Sequence, residues 1–334
     1  MDIGLWDDFF QLPPIKAKAI YNDEALKNQY DILGQALYKL FDRTVKLDLA
    51  MRQQGDDPGQ QKFRNALEGL YNNDITQDHW RLLATRVQGN LSAAEIATFD
   101  KALRIYGKKK DVNTYNHEKI RDLGVPVKQT KAQHTGTGAA VAELERGGNL
   151  HKTLPLCLGA RVMLMENSWT ERGLVNSALG TVKGFYWQEG VDIEKDIPTI
   201  LTAFDSYDEP LPEDFEGGIR AVLIVPSKRE FGINNVACTR TRVPLTVAWA
   251  ITVHKAQDIT ADKIVTNIAE KHHVVGLTYV PVSQVRKLTG LLFEESFDYS
   301  RFRSAKDSKT KTMRLADYAR RLPQHISVAV PELD

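Results

Sequence analysis

Residues 244–257 have the sequence Pro-Leu-Thr-Val-Ala-Trp-Ala-Ile-Thr-Val-His-Lys-Ala-Gln, and the interpretation of the whole chain starts from them. An apolar run over 245–251 fits either a buried strand or the start of a helix, because periodicity alone does not separate the two. Four polar residues follow within six positions: Thr252, His254, Lys255 and Gln257. These side chains suit contacts with phosphate groups, since lysine brings a positive charge and the others bring neutral donors. A polar loop that caps a helix would carry the same residues, so the spacing leaves both interpretations open.

The residues before this stretch predict a small β-module. Residues 156–243 contain short runs in which apolar and polar residues alternate, with Gly, Asn, Asp and Pro between them: 160–165, 180–186, 198–202 and 220–225. Short strands at this spacing are typical of a small β-barrel. Residues 134–150 carry four glycines and predict a loose loop or linker ahead of the module.

Helix and strand patterns lie on both sides of the β-module. Apolar residues at 3–4 spacing predict helices, and Ser92 with Glu95 forms a capping box that starts a short one. The other predicted helices are 24–41, a segment after Pro58 that carries Phe63, Leu67 and Leu70, 112–123 and 277–288. The predicted strands are 45–49, 103–106, 264–268 and 291–293. We therefore expect an α/β protein with an inserted β-module.

Length and composition limit the class of protein. A chain of 334 residues with 42% apolar and 26% charged residues has the profile of two or three globular domains. No apolar run approaches the roughly 18 residues of a membrane span, and the N-terminus lacks a signal-peptide pattern. We expect an intracellular protein without a membrane partner, nuclear or mitochondrial if its source is a eukaryote.

Cysteine and histidine usage gives no support to a metal site. Two cysteines, Cys157 and Cys238, exclude a disulfide scaffold and a Cys-based zinc site. His254, His272 and His273 have no cysteine or carboxylate partner at the spacing of metal ligands, so none is predicted.

Charge is distributed unevenly, although the formal net charge is only +1. Residues 101–131 and 301–321 are basic, whereas residues 189–217 are acidic. Local basic stretches can bind phosphate backbones while an acidic segment balances the total. Such runs are more often solvated faces, so charge by itself identifies no partner.

Six segments, taken in order, resemble the motifs of a known family. The chain is similar to the petite-integration-frequency (PIF) DNA helicases, which are RecD-like members of helicase superfamily 1, and especially to their fungal and transposon-carried members. Residues 8–14 resemble the third helicase motif, 49–54 the fourth, and 115–119 with 126–127 the stretch after the fourth. Residues 158–164 and 173–182 resemble the start of an inserted SH3-like barrel, 244–257 the fifth motif, and 279–286 with 291–293 the sixth. The resemblance extends over residues 1–303.

The resemblance implies a fold and an activity. PIF helicases have two RecA-like α/β domains of the P-loop NTPase type, with an SH3-like β-barrel inserted in the second. They hydrolyse ATP with Mg²⁺ between the domains, move 5′→3′ along single-stranded DNA, and act in DNA repair, recombination and telomere maintenance. The expected division is 1–25 as a remnant of the first RecA-like domain, 26–155 with 244–300 as the second, 156–243 as the barrel, and 301–334 as a basic tail.

The resemblance also assigns roles to individual residues. Gln11 would sense the γ-phosphate and couple it to DNA, Arg52 would reach the phosphates from the second domain, and Arg286 is a further nucleotide contact. An arginine suits this role because its fork stabilises charge on a transferring phosphoryl group. The DNA backbone would be held by Thr252, His254, Lys255 and Gln257. Such contacts are independent of base sequence and weaken with salt.

The departures from the family pattern concern mainly the nucleotide site. The phosphate-binding loop Gly-x-x-x-x-Gly-Lys-Ser/Thr (Walker A) does not occur in the 334 residues, and no Asp-Glu pair for Mg²⁺ (Walker B) precedes the third motif. Asp7 and Asp258 stand where the third and fifth motifs have glycine. Gln284 stands at the arginine-finger position of the sixth motif, a group worth about 10³–10⁵ in rate in other enzymes. Three lysines at 108–110 replace the family's Thr-Asn-Glu.

The chain is therefore interpreted as the C-terminal half of a helicase: a fragment, a split gene product or a truncated copy. Three functions follow from this interpretation. The chain is the second half of a motor completed by a first RecA-like domain in trans or in a longer product, a non-catalytic module that binds single-stranded nucleic acid, or a decayed mobile-element copy without activity. ATP and Mg²⁺ belong to the family, and we expect no DNA-stimulated ATP hydrolysis by this chain alone.

Overall fold

The computed structural model describes residues 4–5, 8–14, 17–46, 50–207, 220–257, 259–269, 276–303 and 309–325. Some positions singled out above lie outside these ranges: Asp7, 47–49, Asp258, His272 and His273. The chain forms two compact units. Unit 1 comprises Met1–Ala102 and Thr260–Asp334, and unit 2 comprises Leu103–Ile259. These limits differ from the domain boundaries expected from the sequence.

The first four helices each begin after a residue whose side chain caps them. The helices are, in chain order, α1 (Gln29–Lys39), α2 (Pro58–Tyr71), α3 (Gln77–Ala84), α4 (Ala93–Ala97), α5 (Lys109–Asp122), α6 (Tyr279–Ser283), α7 (Ser300–Arg303) and α8 (Lys309–Arg320). The predicted cap of α4 is confirmed, because the Ser92 hydroxyl accepts a hydrogen bond from the Glu95 amide at 3.3 Å. The prediction of one helix over 277–288 was wrong, since only Tyr279–Ser283 is α-helical. None of the helices in the described ranges is long and apolar enough to cross a membrane.

The strands are short. They are β1 (Arg43–Lys46), β2 (Leu103–Tyr106), β3 (Lys128–Lys131), β4 (Gln133–Thr135), β5 (Thr153–Leu156), β6 (Arg161–Leu164), β7 (Leu179–Tyr186), β8 (Thr199–Phe204), β9 (Val222–Ile224), β10 (Ser227–Ile233), β11 (Val236–Arg242), β12 (Leu245–Val247), β13 (Ala250–Thr252), β14 (Ile264–Thr266), β15 (Leu291–Phe293) and β16 (Leu322–His325). The predicted strands 103–106 and 291–293 are confirmed with these bounds.

Unit 1 contains a parallel strand pair and helices that pack by their apolar faces. Strands β14 and β15 are parallel, with Val265 paired to Leu292, and both are buried throughout, as is typical of parallel strands. Phe99 packs against these two residues. In α2 the predicted apolar face is confirmed, because Phe63, Leu67 and Leu70 are all buried.

The end of the chain contributes to unit 1. The segment expected to be a basic tail contains α8, and Arg314 in this helix is only 2% exposed. Its guanidinium donates to the hydroxyl of Tyr21 at 2.9 Å and lies 5.4 Å from the ring centre of Phe10. The hydroxyl of Tyr38 in α1 donates to Asp317 in α8 at 2.6 Å. Part of the positive charge in this segment therefore stabilises the fold.

In unit 2 the apolar run of the opening sequence forms two strands, which settles the choice between strand and helix. β12 pairs with β6 in antiparallel orientation, whereas β13 pairs with β2 in parallel, with Thr252 opposite Tyr106. Helix α5 packs on both β2 and β13. Asn116 fixes this packing, because its amide donates to the Ala250 carbonyl at 2.9 Å and accepts from the Ala250 amide at 2.8 Å.

The predicted β-module is an antiparallel meander. Its strands lie in the order β12-β6-β7-β8-β9, and all four predicted runs contribute a strand. The order extends past residue 243, since β12 closes one edge of the sheet. Its apolar core includes Val162, Val182, Ile200 and Leu245, each at most 1% exposed. A register shift between Val182 and Gly184 bends the long strand β7.

The glycine-rich segment 134–150 is mainly a loop, as predicted, and buried Arg240 of β11 holds it in place. Arg240 and Arg242 are fully buried. Arg240 donates to the carbonyls of Leu150, Ala139 and Ala142 at 2.9, 3.1 and 2.7 Å. A Cβ atom at Gly147 would overlap the Arg240 guanidinium, so this position requires glycine.

Candidate nucleotide and nucleic-acid sites

In unit 1 the segment that resembles the fourth motif lies along the segment that resembles the sixth. The Arg52 guanidinium donates to the Thr260 hydroxyl at 2.9 Å and to the Ser283 carbonyl at 3.0 Å. The neighbouring Gln53 is buried, and its amide donates to the Ser283 and Val285 carbonyls at 2.8 and 2.7 Å. The structure therefore brings Arg52 close to the residues that flank Gln284.

Gln284, at the expected finger position, faces the interior of unit 1. Its side chain is 2% exposed, and its amide nitrogen donates to the Val280 carbonyl at 2.7 Å and the Ser283 hydroxyl at 3.2 Å. Its amide oxygen is buried without a hydrogen-bond partner among the described residues. Because the whole side chain is enclosed, Gln284 does not present a group to a ligand in this arrangement.

Arg286 is the exposed member of this group. It forms an ion pair with Asp262 at 2.8 Å, and both side chains are more than half exposed. The Arg286 carbonyl accepts a hydrogen bond from Gln60 in α2 at 2.7 Å. An exposed ion pair of this kind contributes only about 0–1 kcal/mol to stability.

Gln11 lies in a polar cluster at the start of unit 1. Its side-chain amide donates to Asp8 at 3.1 Å, and Asp8 also accepts from the Tyr71 hydroxyl at 3.0 Å. Burial, together with the negative charge of Asp8, raises the pKa of both Tyr71 and Tyr279. Both phenols therefore stay protonated at neutral pH.

Gly276 is a residue of this cluster that the sequence interpretation missed. Its φ is +89°, and a Cβ atom there would lie 2.7 Å from the Gln11 carbonyl carbon. Glycine therefore lets the chain ahead of α6 approach the backbone of the third-motif segment. The signal in the sequence was a glycine three residues before Tyr279.

The nucleotide candidates all lie in unit 1: Gln11, Arg52, Gln284 and Arg286. They fit only part of a nucleotide site, because Arg52 and Arg286 provide positive charge whereas the Gln284 side chain is enclosed. Mg²⁺ prefers oxygen ligands such as carboxylates, and these four side chains include none, so they do not fit Mg²⁺ by themselves. Among the described residues there is no group of three His, Cys, Asp or Glu side chains that could hold a metal ion.

The nucleic-acid candidates all lie in unit 2, where the chain leaves β13. Thr252 ends this strand, and residues Val253–Ala256 form a short 3-10 turn. Val253 and Ala256 are buried and anchor the turn, whereas His254, Lys255 and Gln257 are partly exposed. The structure thus places Thr252, His254, Lys255 and Gln257 together at the carboxyl end of one parallel strand.

Positive charge dominates the surroundings of this turn. Burial, together with the charge of Lys109, lowers the pKa values of His254 and Lys255. Burial and four cationic side chains, led by Arg242, lower the pKa of His151 from 6.5 to about 4. The Lys255 ammonium donates to the Met165 sulfur at 3.1 Å, which is a weak acceptor. No signal in the sequence indicated His151 or Met165.

Comparison with known proteins finds relatives of this chain among DNA helicases. The chain is 26% identical over 285 residues to "ATP-dependent DNA helicase PIF1" of Xenopus laevis, a match that covers 85% of this chain and 39% of the relative. The crystal structure of Pif1 helicase from Candida albicans superposes with a TM-score of 0.65 at 21% identity, covering 93% of this chain and 67% of that one. These similarities support a PIF1-type helicase of superfamily 1 as the family that this chain resembles. No family model matches it.

The PIF1-type fold is RecA-like. A second solved structure, Pif1 helicase from Bacteroides in complex with ADP-AlF3 and single-stranded DNA, has a TM-score of 0.59 at 23% identity and covers 94% of this chain and 65% of that one. The chain spans 39% of the length of the frog relative that it matches. Its assignment to a fungal or transposon-carried branch stays a prediction.

Proposed function

We propose that this chain is the C-terminal half of an ATP-dependent 5′→3′ DNA helicase, and that it holds single-stranded DNA through Thr252, His254, Lys255 and Gln257. ATP and Mg²⁺ bind only when a first RecA-like domain is supplied by a longer product or by another polypeptide. One observation carries this proposal. Arg52 donates to Thr260 and Ser283, so the segments resembling the fourth and sixth motifs lie side by side in one unit.

The proposed division of the chain follows the family pattern. Residues 1–25 are the remnant of the first RecA-like domain, residues 26–155 and 244–300 form the second, and 301–334 form the C-terminal segment. Residues 156–243 form the SH3-like barrel, a proposal supported by the antiparallel order β6-β7-β8-β9. A role in DNA repair, recombination or telomere maintenance, in the nucleus or in mitochondria, would follow from this lineage.

A second candidate function is a non-catalytic module that binds single-stranded nucleic acid. It is favoured by Gln284, because this side chain is enclosed at the position where a finger would have to reach the γ-phosphate. The two candidates differ in what a first RecA-like domain would add. The first predicts that ATP turnover appears when such a domain is supplied, whereas the second predicts that it does not.

The purified chain tests the proposal in two measurements. Fluorescence anisotropy with a labelled oligothymidine should show weak binding at about 50 mM salt that is lost as salt rises, because phosphate contacts release counterions. A coupled ATPase assay with and without the oligonucleotide should show no turnover. DNA-stimulated turnover that Arg52→Ala abolishes would overturn the dependence on a first domain. Absence of binding at low salt would favour a decayed copy without activity.

A further inference from the structure

Two loops of unit 2 leave the parallel strands β2 and β13 at the same edge. Thr252, at the end of β13, is paired with Tyr106, at the end of β2. His254 and Lys255 follow Thr252 by two and three residues, and Lys108 and Lys109 follow Tyr106 by two and three residues. Because carboxyl ends of parallel strands meet at one edge of a sheet, the lysines and His254 converge there.

Lys109 is the best placed of the three lysines at 108–110. It is the first residue of α5, and Asn116 fixes this helix on Ala250 of β13. The charge of Lys109 acts on His254, Lys255 and His151, which agrees with the position given by the strand register. Its own side chain is 75% exposed and therefore accessible.

A carboxylate already lies against this ammonium. Lys109 pairs with Glu145 at 3.4 Å, and the Glu145 side chain is 70% exposed. Glu145 belongs to the segment that the Arg240 guanidinium fixes through the carbonyls of Ala139, Ala142 and Leu150. The carboxylate is therefore held near Lys109 by the fold.

We propose that Lys109 is an additional contact for the phosphate backbone of single-stranded nucleic acid, and that Glu145 competes with the phosphate for the same ammonium. The inference rests on the proposed DNA-binding function and extends its surface from β13 to the start of α5. Lysine is suited to this exchange because its ammonium can donate hydrogen bonds to acceptors in many directions. An exposed ion pair is weak enough to be displaced by a phosphodiester.

The test measures binding of a labelled oligothymidine by anisotropy between about 50 and 200 mM salt. Lys109→Gln should weaken binding severalfold at the lower salt and reduce the slope of log K against log salt by about 0.7, the value for one phosphate on a single strand. Glu145→Gln should strengthen binding about twofold to fivefold, because it removes the competitor. Lys109→Arg should retain the wild-type affinity, which shows that a loss in Lys109→Gln is due to charge and not to misfolding.

The matched control is Lys119→Gln in the same helix. Lys119 lies ten residues after Lys109, which is about 15 Å along the helix axis, so its substitution should leave both affinity and slope unchanged. If Lys109→Gln behaves like Lys119→Gln while the wild type binds, the inference is wrong and the proposed function stands. If Glu145→Gln does not strengthen binding, the competition is refuted. If the wild type does not bind, the proposed function fails and this inference fails with it.

Discussion

Two regions of this chain carry residues that resemble helicase motifs, and they use their polar side chains in opposite ways. In unit 1, Arg52, Gln53 and Gln284 donate to protein acceptors, chiefly the backbone carbonyls of Ser283, Val285 and Val280. In unit 2, His254 and Lys255 lie within reach of the positive charge of Lys109, and the Lys255 ammonium donates to a thioether. In unit 1 these side chains are therefore occupied by contacts within the protein, whereas in unit 2 the Lys255 ammonium has only a weak acceptor in the thioether.

The largest effect that we expect is a pH dependence of the free energy of unfolding, caused by His151 in unit 2. Its pKa of about 4 in the folded chain lies below 6.5, so between these values the unfolded chain binds a proton that the folded chain does not. The free energy of unfolding should therefore fall as pH falls through this window, by at most about 3 kcal/mol from this group. Urea unfolding at pH 7 and pH 4.5 measures the effect.

Substitution of His151 tests whether this residue causes the pH dependence of stability. His151→Gln should flatten the pH dependence of the unfolding free energy, whereas His117→Gln, a substitution at an exposed position of α5, should leave it unchanged. Equal pH dependence in wild type and His151→Gln would show that burial and the nearby cations do not lower the pKa of this ring.

The next effect concerns Gln53 in unit 1. Gln53→Ala should reduce the free energy of unfolding by about 2 kcal/mol, because the buried Ser283 and Val285 carbonyls each lose a donor. Binding of single-stranded DNA should not change. Urea unfolding and anisotropy on the same variant check both expectations, and Gln54→Ala, at an exposed neighbour, is the control. A loss of DNA binding without a loss of stability would contradict the expectation that Gln53 supports the fold of unit 1 and does not take part in DNA binding.

The smallest effect on stability is expected at Lys255, where a substitution should mainly change the binding of DNA. Lys255→Met keeps the length of the side chain and removes a partly buried charge whose pKa is lowered. Stability should stay the same or rise by up to about 1 kcal/mol, while the salt slope of DNA binding falls by about 0.7. Lys101→Met, at an exposed position of unit 1, is the control. An unchanged slope would remove Lys255 from the proposed contact surface.

Local signals in the sequence were sufficient for many elements. Strands β2 and β15 have the predicted bounds because β2 alternates between buried and partly buried residues and β15 is a short apolar run. The cap at Ser92 needs only its own hydroxyl and the Glu95 amide, so its pattern was sufficient. The motifs around Arg52 and Lys255 were identified by resemblance, and the structure places each in a definite unit.

Some features could not be predicted from the sequence because they depend on contacts between residues that are far apart in the chain. The run 245–251 divides into β12 and β13 because its two halves pair with different partners, β6 and β2. The inward direction of Gln284 depends on the carbonyl of Val280 and on the packing around α6. The order in segment 134–150 comes from Arg240, about 90 residues later, with hydrogen bonds that span 90 to 101 positions.

Gly147 and Arg240 also constrain how this chain can change over evolutionary time. Any side chain at Gly147 would displace the guanidinium, and any shorter residue in place of Arg240 would leave three inward carbonyls without their donor. A substitution at either position therefore disturbs the same three hydrogen bonds, which also hold the segment that places Glu145 beside Lys109.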